Sequence, residues 1–146
     1  MNPYQASERT EKICRLAPVI PVLVVQNPET ARPLAEALIS GGLPVLEITL
    51  RTKSALQVIS EMAKVPGAVV GAGTITKSND IKDAINAGAS FAVSPGVTDT
   101  ILEESERHNL AIMPGAATPS EIMRLFEFGY SVQKFFPAEA NGGRAA

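Results

Sequence analysis

Apolar positions along this chain follow two alternating periods. Short runs rich in β-branched residues, at 19–24, 45–50, 68–71, 91–94, 110–113 and 132–136, read as strands. Longer amphipathic stretches at 29–40, 54–64, 79–87, 100–107 and 120–128 lie between them, with a leading one at 7–15, and read as helices. Strand follows strand every ~20–25 residues, the spacing of compact βα units. The strand runs are nearly continuous in apolar residues, as expected where helices cover a sheet. The pattern predicts a parallel α/β fold without choosing between an open doubly wound sheet and a (β/α) barrel. No G-x-G-x-x-G opens the first helix, which weakens the dinucleotide-binding version of the open sheet.

Several boundaries have local chemical support. Thr118-Pro119-Ser120-Glu121 predicts a capping box with proline at the first helical position, where its missing N–H costs nothing. Thr100 with Glu103 predicts a second one. Gly41-Gly42, Gly88 and Gly129 sit where helices must turn back. Two prolines resist the scheme. Pro21 lacks a ladder donor inside a predicted strand, and Pro33 fits only a helix that begins near Thr30.

Composition narrows the function classes. The 146 residues match one domain, and a 45% hydrophobic content is enough for a core. A formal net charge of −2 offers no basic surface to nucleic acid. The longest apolar stretch, around Val19 to Val25, is broken by Pro21 and is too short to cross a bilayer. The first residues lack the order of a signal peptide, and Cys14 alone makes neither an internal disulfide nor a metal site. The expectation is a soluble cytoplasmic protein with no nucleic-acid or membrane partner.

Two strands carry charge where apolar residues belong. In Leu46-Glu47-Ile48-Thr49-Leu50-Arg51, alternation puts Leu46, Ile48 and Leu50 on one face and Glu47, Thr49 and Arg51 on the other. In a barrel the first face packs beneath the helices, and the second points a carboxylate and a guanidinium inward near the strand's C-terminal end, where barrel enzymes keep their catalytic groups. A Glu47–Arg51 ion pair, or solvation at an edge strand, accounts for the same residues equally well. In Ser131-Val132-Gln133-Lys134-Phe135-Phe136-Pro137, alternation sets Val132, Lys134 and Phe136 together, an amine among apolar groups. Desolvation disfavours an ammonium and frees a neutral nucleophile. A lysine that snorkels to solvent or binds phosphate as a point charge is the alternative. Val70-Gly71-Ala72-Gly73-Thr74 and Ser94-Pro95-Gly96 close two further strands with small residues, which lets a ligand approach the backbone. His108 reads as a surface residue without a visible partner, and Cys14 as packing.

Together these stretches resemble the 2-keto-3-deoxy-6-phosphogluconate (KDPG) aldolase family, which includes the 4-hydroxy-2-oxoglutarate (KHG) aldolases. The matching segments are Pro18-Val19-Ile20-Pro21-Val22, Leu46-Glu47-Ile48-Thr49-Leu50-Arg51-Thr52, Val70-Gly71-Ala72-Gly73-Thr74, Ser94-Pro95-Gly96, Met113-Pro114-Gly115 and Lys134-Phe135-Phe136-Pro137-Ala138-Glu139, in family order and spacing. The resemblance runs from about Ile13 to Gly143. It implies a TIM-type (β/α) barrel, with Lys134 as the Schiff-base lysine and Glu47 as the general acid–base. It also implies that Arg51 and Thr74 bind a pyruvate carboxylate and that Pro95 and Phe136 line the pocket. The implied substrate is a small keto acid, with no metal or organic cofactor, and the implied assembly is a homotrimer. The chain stops at about the sixth strand of an eight-stranded scheme, so the first and sixth strands are expected to show free edges. The family holds its substrate phosphate on the strands beyond that point. KHG cleavage, a sugar-phosphate epimerase using the same two residues, and an inactive remnant are the competing expectations.

Overall fold

The computed structural model describes residues 1–143. Helix α1 (Pro3–Cys14) leads into five parallel strands: β1 (Val22–Leu23), β2 (Val45–Thr49), β3 (Val69–Gly73), β4 (Phe91–Val93) and β5 (Ala111–Met113). They lie side by side in chain order. Helices α2 (Ala31–Ser40), α3 (Ala55–Met62), α4 (Ser78–Asn86) and α5 (Asp99–Arg107) fall between them, α2 after a 3₁₀ turn at Pro28–Thr30. Beyond Pro114, β6 (Gly115–Ala116) pairs in parallel with β7 (Lys134–Phe135), and α6 (Pro119–Phe128) connects the two.

The two sheets are physically one arc. Ser94 N–H donates to Met113 O on one side (3.2 Å) and Lys134 N–H to Pro114 O on the other (2.9 Å), so the fifth strand runs on through Pro114 and changes its partner there. Six parallel strand positions, each followed or covered by a helix, form the TIM-type (β/α) barrel arrangement over this length. Among the described residues, β1 has a strand partner only in β2, and β7 only in β6.

The alternation read from the sequence sorts the core into two layers. Leu46, Ile48, Val70, Ala72, Ala92 and Ile112 pack outward against Ala31, Ala35, Val58, Ile59, Met62, Ile81, Ile101 and Leu125 of the helices. Their neighbours Val45, Phe91, Val93 and Met113 point the other way, joined by Val69 and Val132, and Ile13 and Cys14 at the end of α1 close this inner cluster. Burial pushes the Cys14 thiol pKa up, with Glu11 adding to the effect. Its Sγ sits 3.7 Å from Met113 Sδ, so packing is its role.

Local chemistry explains the boundaries and corrects some of them. Thr118 accepts from Glu121 N–H while Glu121 accepts from Thr118 N–H, with Pro119 at the first position and Gly129 closing α6 at φ 98°. The expected Thr100–Glu103 box does not form: Thr98 caps α5 by accepting from Ile101 N–H, and Thr100 lies inside the helix. Pro33 falls in the first turn of α2, where it removes no helical bond. Pro21 precedes β1 and lends only its carbonyl, to Glu47 N–H (3.0 Å), so the ladder starts at Val22 rather than Val19. Helix α1 starts earlier than expected because Asn2 and Gln5 form a capping box around Pro3. Among the described residues no helix is long and apolar enough to cross a membrane.

Candidate active site

Glu47 lies at the middle of β2, in register with Gly71 of β3. Its side chain points into the concave side of the arc and is 6% exposed. Lys134 opens β7, four strand positions away, and its Nζ donates to Glu47 Oε1 at 3.1 Å. Its side chain keeps 26% of its surface open to solvent. The same Nζ stands 5.4 Å from the centre of the Phe136 ring. One acid and one amine, 87 residues apart in sequence, thus share a sheltered spot on the concave side of the arc, with the carboxylate over Gly73, the last residue of β3. Val132, two residues before Lys134, packs in the inner cluster beneath it. The alternation read through Val132, Lys134 and Phe136 holds.

Backbone and glycine geometry shape the surroundings. Thr49 is buried on the same face of β2, and its hydroxyl donates to Leu23 O (3.0 Å), tying β1 to β2 above Glu47. Thr74 follows Gly73 at the end of β3 with φ 63°, the left-handed region that a β-branched residue seldom adopts. The next residue recovers the ladder, Ile75 N–H donating to Val93 O at 3.1 Å. Pro95 is half-buried after β4. Its backbone lies against Gly115 so closely that a Cβ there would come within 2.3 Å of Pro95 O. The Ser94 hydroxyl also accepts from Gly115 N–H.

Arg51 departs from expectation. Strand β2 ends at Thr49, so the alternation that turned Arg51 inward beside Glu47 does not extend that far. Arg51 lies in the following turn, exposed, in a cleft with Gln26, Thr52, Lys53 and Ser54. Thr52 and Ser54 donate to Val25 O and Gln26 O, which fastens this turn to the loop after β1. The structure therefore joins Lys134, Glu47 and Phe136 directly, sets Thr74 and Pro95 at neighbouring strand ends, and leaves Arg51 at the rim.

Three residues near the pair escape a reading by chemical type. Gly71, Gly73 and Phe91 have no reactive groups, yet a Cβ on Gly73 would come within 2.3 Å of Glu47 Oε1, and one on Gly71 within 2.3 Å of the Phe91 ring. A glycine inside a strand is the available signal, since it marks a place where another group comes close to the backbone. His108 also has a partner that was not foreseen. It contacts Glu104 Oε1 at 2.9 Å, one turn back along α5.

Comparison with known proteins places this geometry. Residues 10–146 match the family described as "Aldolase: KDPG and KHG aldolase". A 2-dehydro-3-deoxy-phosphogluconate aldolase of Pseudoalteromonas atlantica is 50% identical over 127 residues, which are 86% of this chain and 59% of the relative. The KHG/KDPG aldolase of Escherichia coli K12 is 46% identical over 91% of this chain and 63% of its own length. The crystal structure of the Zymomonas mobilis ZM4 2-keto-3-deoxy-6-phosphogluconate aldolase with 3-phosphoglycerate superposes with a TM-score of 0.90 at 45% identity, over 94% of this chain and 66% of that one. The KDPG aldolase of Legionella pneumophila, with pyruvate captured as a covalent carbinolamine intermediate, gives a TM-score of 0.84 at 43% identity, over 88% of this chain and 63% of that one. The chain thus spans about three-fifths of the length of these curated relatives. It belongs to the KDPG and KHG aldolase family.

Proposed function

We propose that this chain provides the covalent half of a class I aldolase that cleaves 2-keto-3-deoxy-6-phosphogluconate to pyruvate and glyceraldehyde 3-phosphate. The observation that carries the reading is the 3.1 Å contact between Lys134 Nζ and the buried Glu47 carboxylate. An amine that is to become an imine needs a proton carrier within hydrogen-bond reach.

Each step uses these two groups. Glu47 takes a proton from the Lys134 ammonium, the neutral amine attacks the C2 carbonyl to give a carbinolamine, and Glu47 passes that proton to the departing hydroxyl as water leaves. The protonated imine then withdraws electrons from the C3–C4 bond. Glu47, now a carboxylate, takes the C4 hydroxyl proton, the C3–C4 bond breaks, and the aldehyde departs from a pyruvate enamine. The same proton returns to C3 of the enamine, and water releases pyruvate and restores the amine. General acid–base help of this kind contributes roughly 10²–10⁴-fold. Phe136, beside Nζ, keeps one side of the amine dry. We assign Thr74 and Pro95 to the pocket wall and Arg51 to the substrate carboxylate, which its fork-shaped guanidinium suits.

KHG carries the same 4-hydroxy-2-keto unit on which both residues act. The Escherichia coli relative, named for both substrates, supports KHG as a second one. For the whole protein, the family resemblance adds a cytoplasmic homotrimer. The test is pyruvate release from each substrate, followed by coupled reduction to lactate. The expected result is turnover that disappears in Lys134→Ala. Lack of turnover on both substrates, or full turnover in the variant, overturns the proposal.

A further inference from the structure

The small residues at the end of β3 look like room for a ligand, but the space over them is already occupied. A Cβ built on Gly71 would meet Phe91 Cε2 and Cζ at 2.3 Å, and one built on Gly73 would meet Glu47 Oε1 at 2.3 Å, Cγ at 2.7 Å and Cδ at 2.8 Å. Neither glycine has a positive φ, and both lie in regular strand, so any residue could adopt this backbone. Only space excludes a side chain there.

The register gives this a direction. Glu47 is level with Gly71, but its carboxylate rests over Gly73, two residues nearer the strand ends. The seat beside its own level is filled by the fully buried Phe91 ring. Two residues of strand are roughly 6.6 Å, so the Glu47 side chain leans forward along the strand to put its carboxylate over Gly73. Phe91 blocks the lower seat, Gly73 leaves the upper one open, and the carboxylate extends to where Lys134 Nζ reaches it at 3.1 Å.

We infer that Gly73 is a positioning residue: the absence of its side chain sets where the Glu47 carboxylate stands against Lys134. The three nearest atoms that an added methyl would strike all belong to Glu47. Gly73→Ala is therefore relieved when that side chain swings away, and the proton carrier is lost while the amine stays in place. The inference rests on the proposed roles of Lys134 and Glu47, so its test separates the two.

With pyruvate in D₂O, the wild-type chain is expected to exchange the pyruvate methyl protons and to give a borohydride adduct on Lys134. Gly73→Ala is expected to reach the same adduct end point, with exchange slower by at least ~100-fold, close to the rate of Glu47→Ala. Exchange within about threefold of wild type overturns the inference. If the wild-type chain forms no adduct, the functional reading has failed, and a crystal structure of Gly73→Ala decides the positioning claim alone. A Lys134–Glu47 separation beyond hydrogen-bond reach supports it; an unchanged contact overturns it. If Gly73→Ala does not fold, the double variant Gly73→Ala/Glu47→Ala decides. Recovery of a cooperative melt supports the inference, because the methyl then has its space. Failure of both variants to fold overturns it.

Discussion

Replacing Lys134 with methionine keeps most of the side chain's volume and removes its charge, which exposes how the site is held. The Glu47 side chain is 6% exposed, and among the described residues Lys134 is the only group that hydrogen-bonds to its carboxylate. Removing one member of a fully buried pair costs about 3–5 kcal/mol, because the other charge is left without compensation. A quarter of the Lys134 side chain touches solvent, so water already screens part of this pair. The expected loss is therefore smaller, about 2–3 kcal/mol. In a chain of this size that lowers Tm by roughly 6–10 °C. Adding Glu47→Gln to Lys134→Met removes the stranded charge and should restore at least half of the loss, since the cost lay in the unpaired carboxylate. Urea unfolding at pH 7, followed by far-UV circular dichroism, reads both values, and an unchanged m shows that the transition is comparable. A Lys134→Met variant as stable as wild type would refute the reasoning. Glu47 would then be solvated, and the sheltered pair on which the chemistry depends would not exist.

Two further outcomes follow from the same core. Phe91→Ala opens a cavity over Gly71 and should cost about 3–5 kcal/mol by thermal or urea unfolding; it also lets the Glu47 carboxylate drop, so methyl exchange of pyruvate should slow as well. The buried Tyr130 hydroxyl donates to Glu106 at 3.0 Å. Burial first, and then the Glu106 carboxylate, hold the Tyr130 phenol well above the ordinary tyrosine range. A folded-state pKa above the unfolded value means that this stability is fully present below about pH 10 and is lost as pH rises further. A pH series of melts should therefore show wild type losing Tm above pH 10 faster than Tyr130→Phe, and parallel curves would contradict it.

Much of the fold and the reactive pair can be read from the sequence because strand alternation is a strict period of two. Val45, Glu47 and Thr49, and again Val132, Lys134 and Phe136, lie where that period sends them. The reading fails where the period ends. Arg51 follows the last paired residue of β2, and once the chain turns, sequence parity says nothing about direction. Helix starts were legible where a capping residue precedes a proline, as at Thr118, and ambiguous where two threonines compete, as at Thr98 and Thr100. The part played by Gly71, Gly73 and Phe91 was hidden because it concerns which side chain occupies a space between strands. Strand register and rotamer decide that, and neither is written in local sequence.

The central claim is that Lys134 is the amine that bonds to the keto acid. Incubation of the intact chain with isotopically labelled pyruvate and sodium borohydride, then proteolysis and mass spectrometry, locates the adduct directly. The account predicts one label per chain, on Lys134, and none on Lys12, Lys53, Lys64, Lys77 or Lys82. Label on another lysine, or none after Lys134 has been exposed to saturating pyruvate, would contradict it.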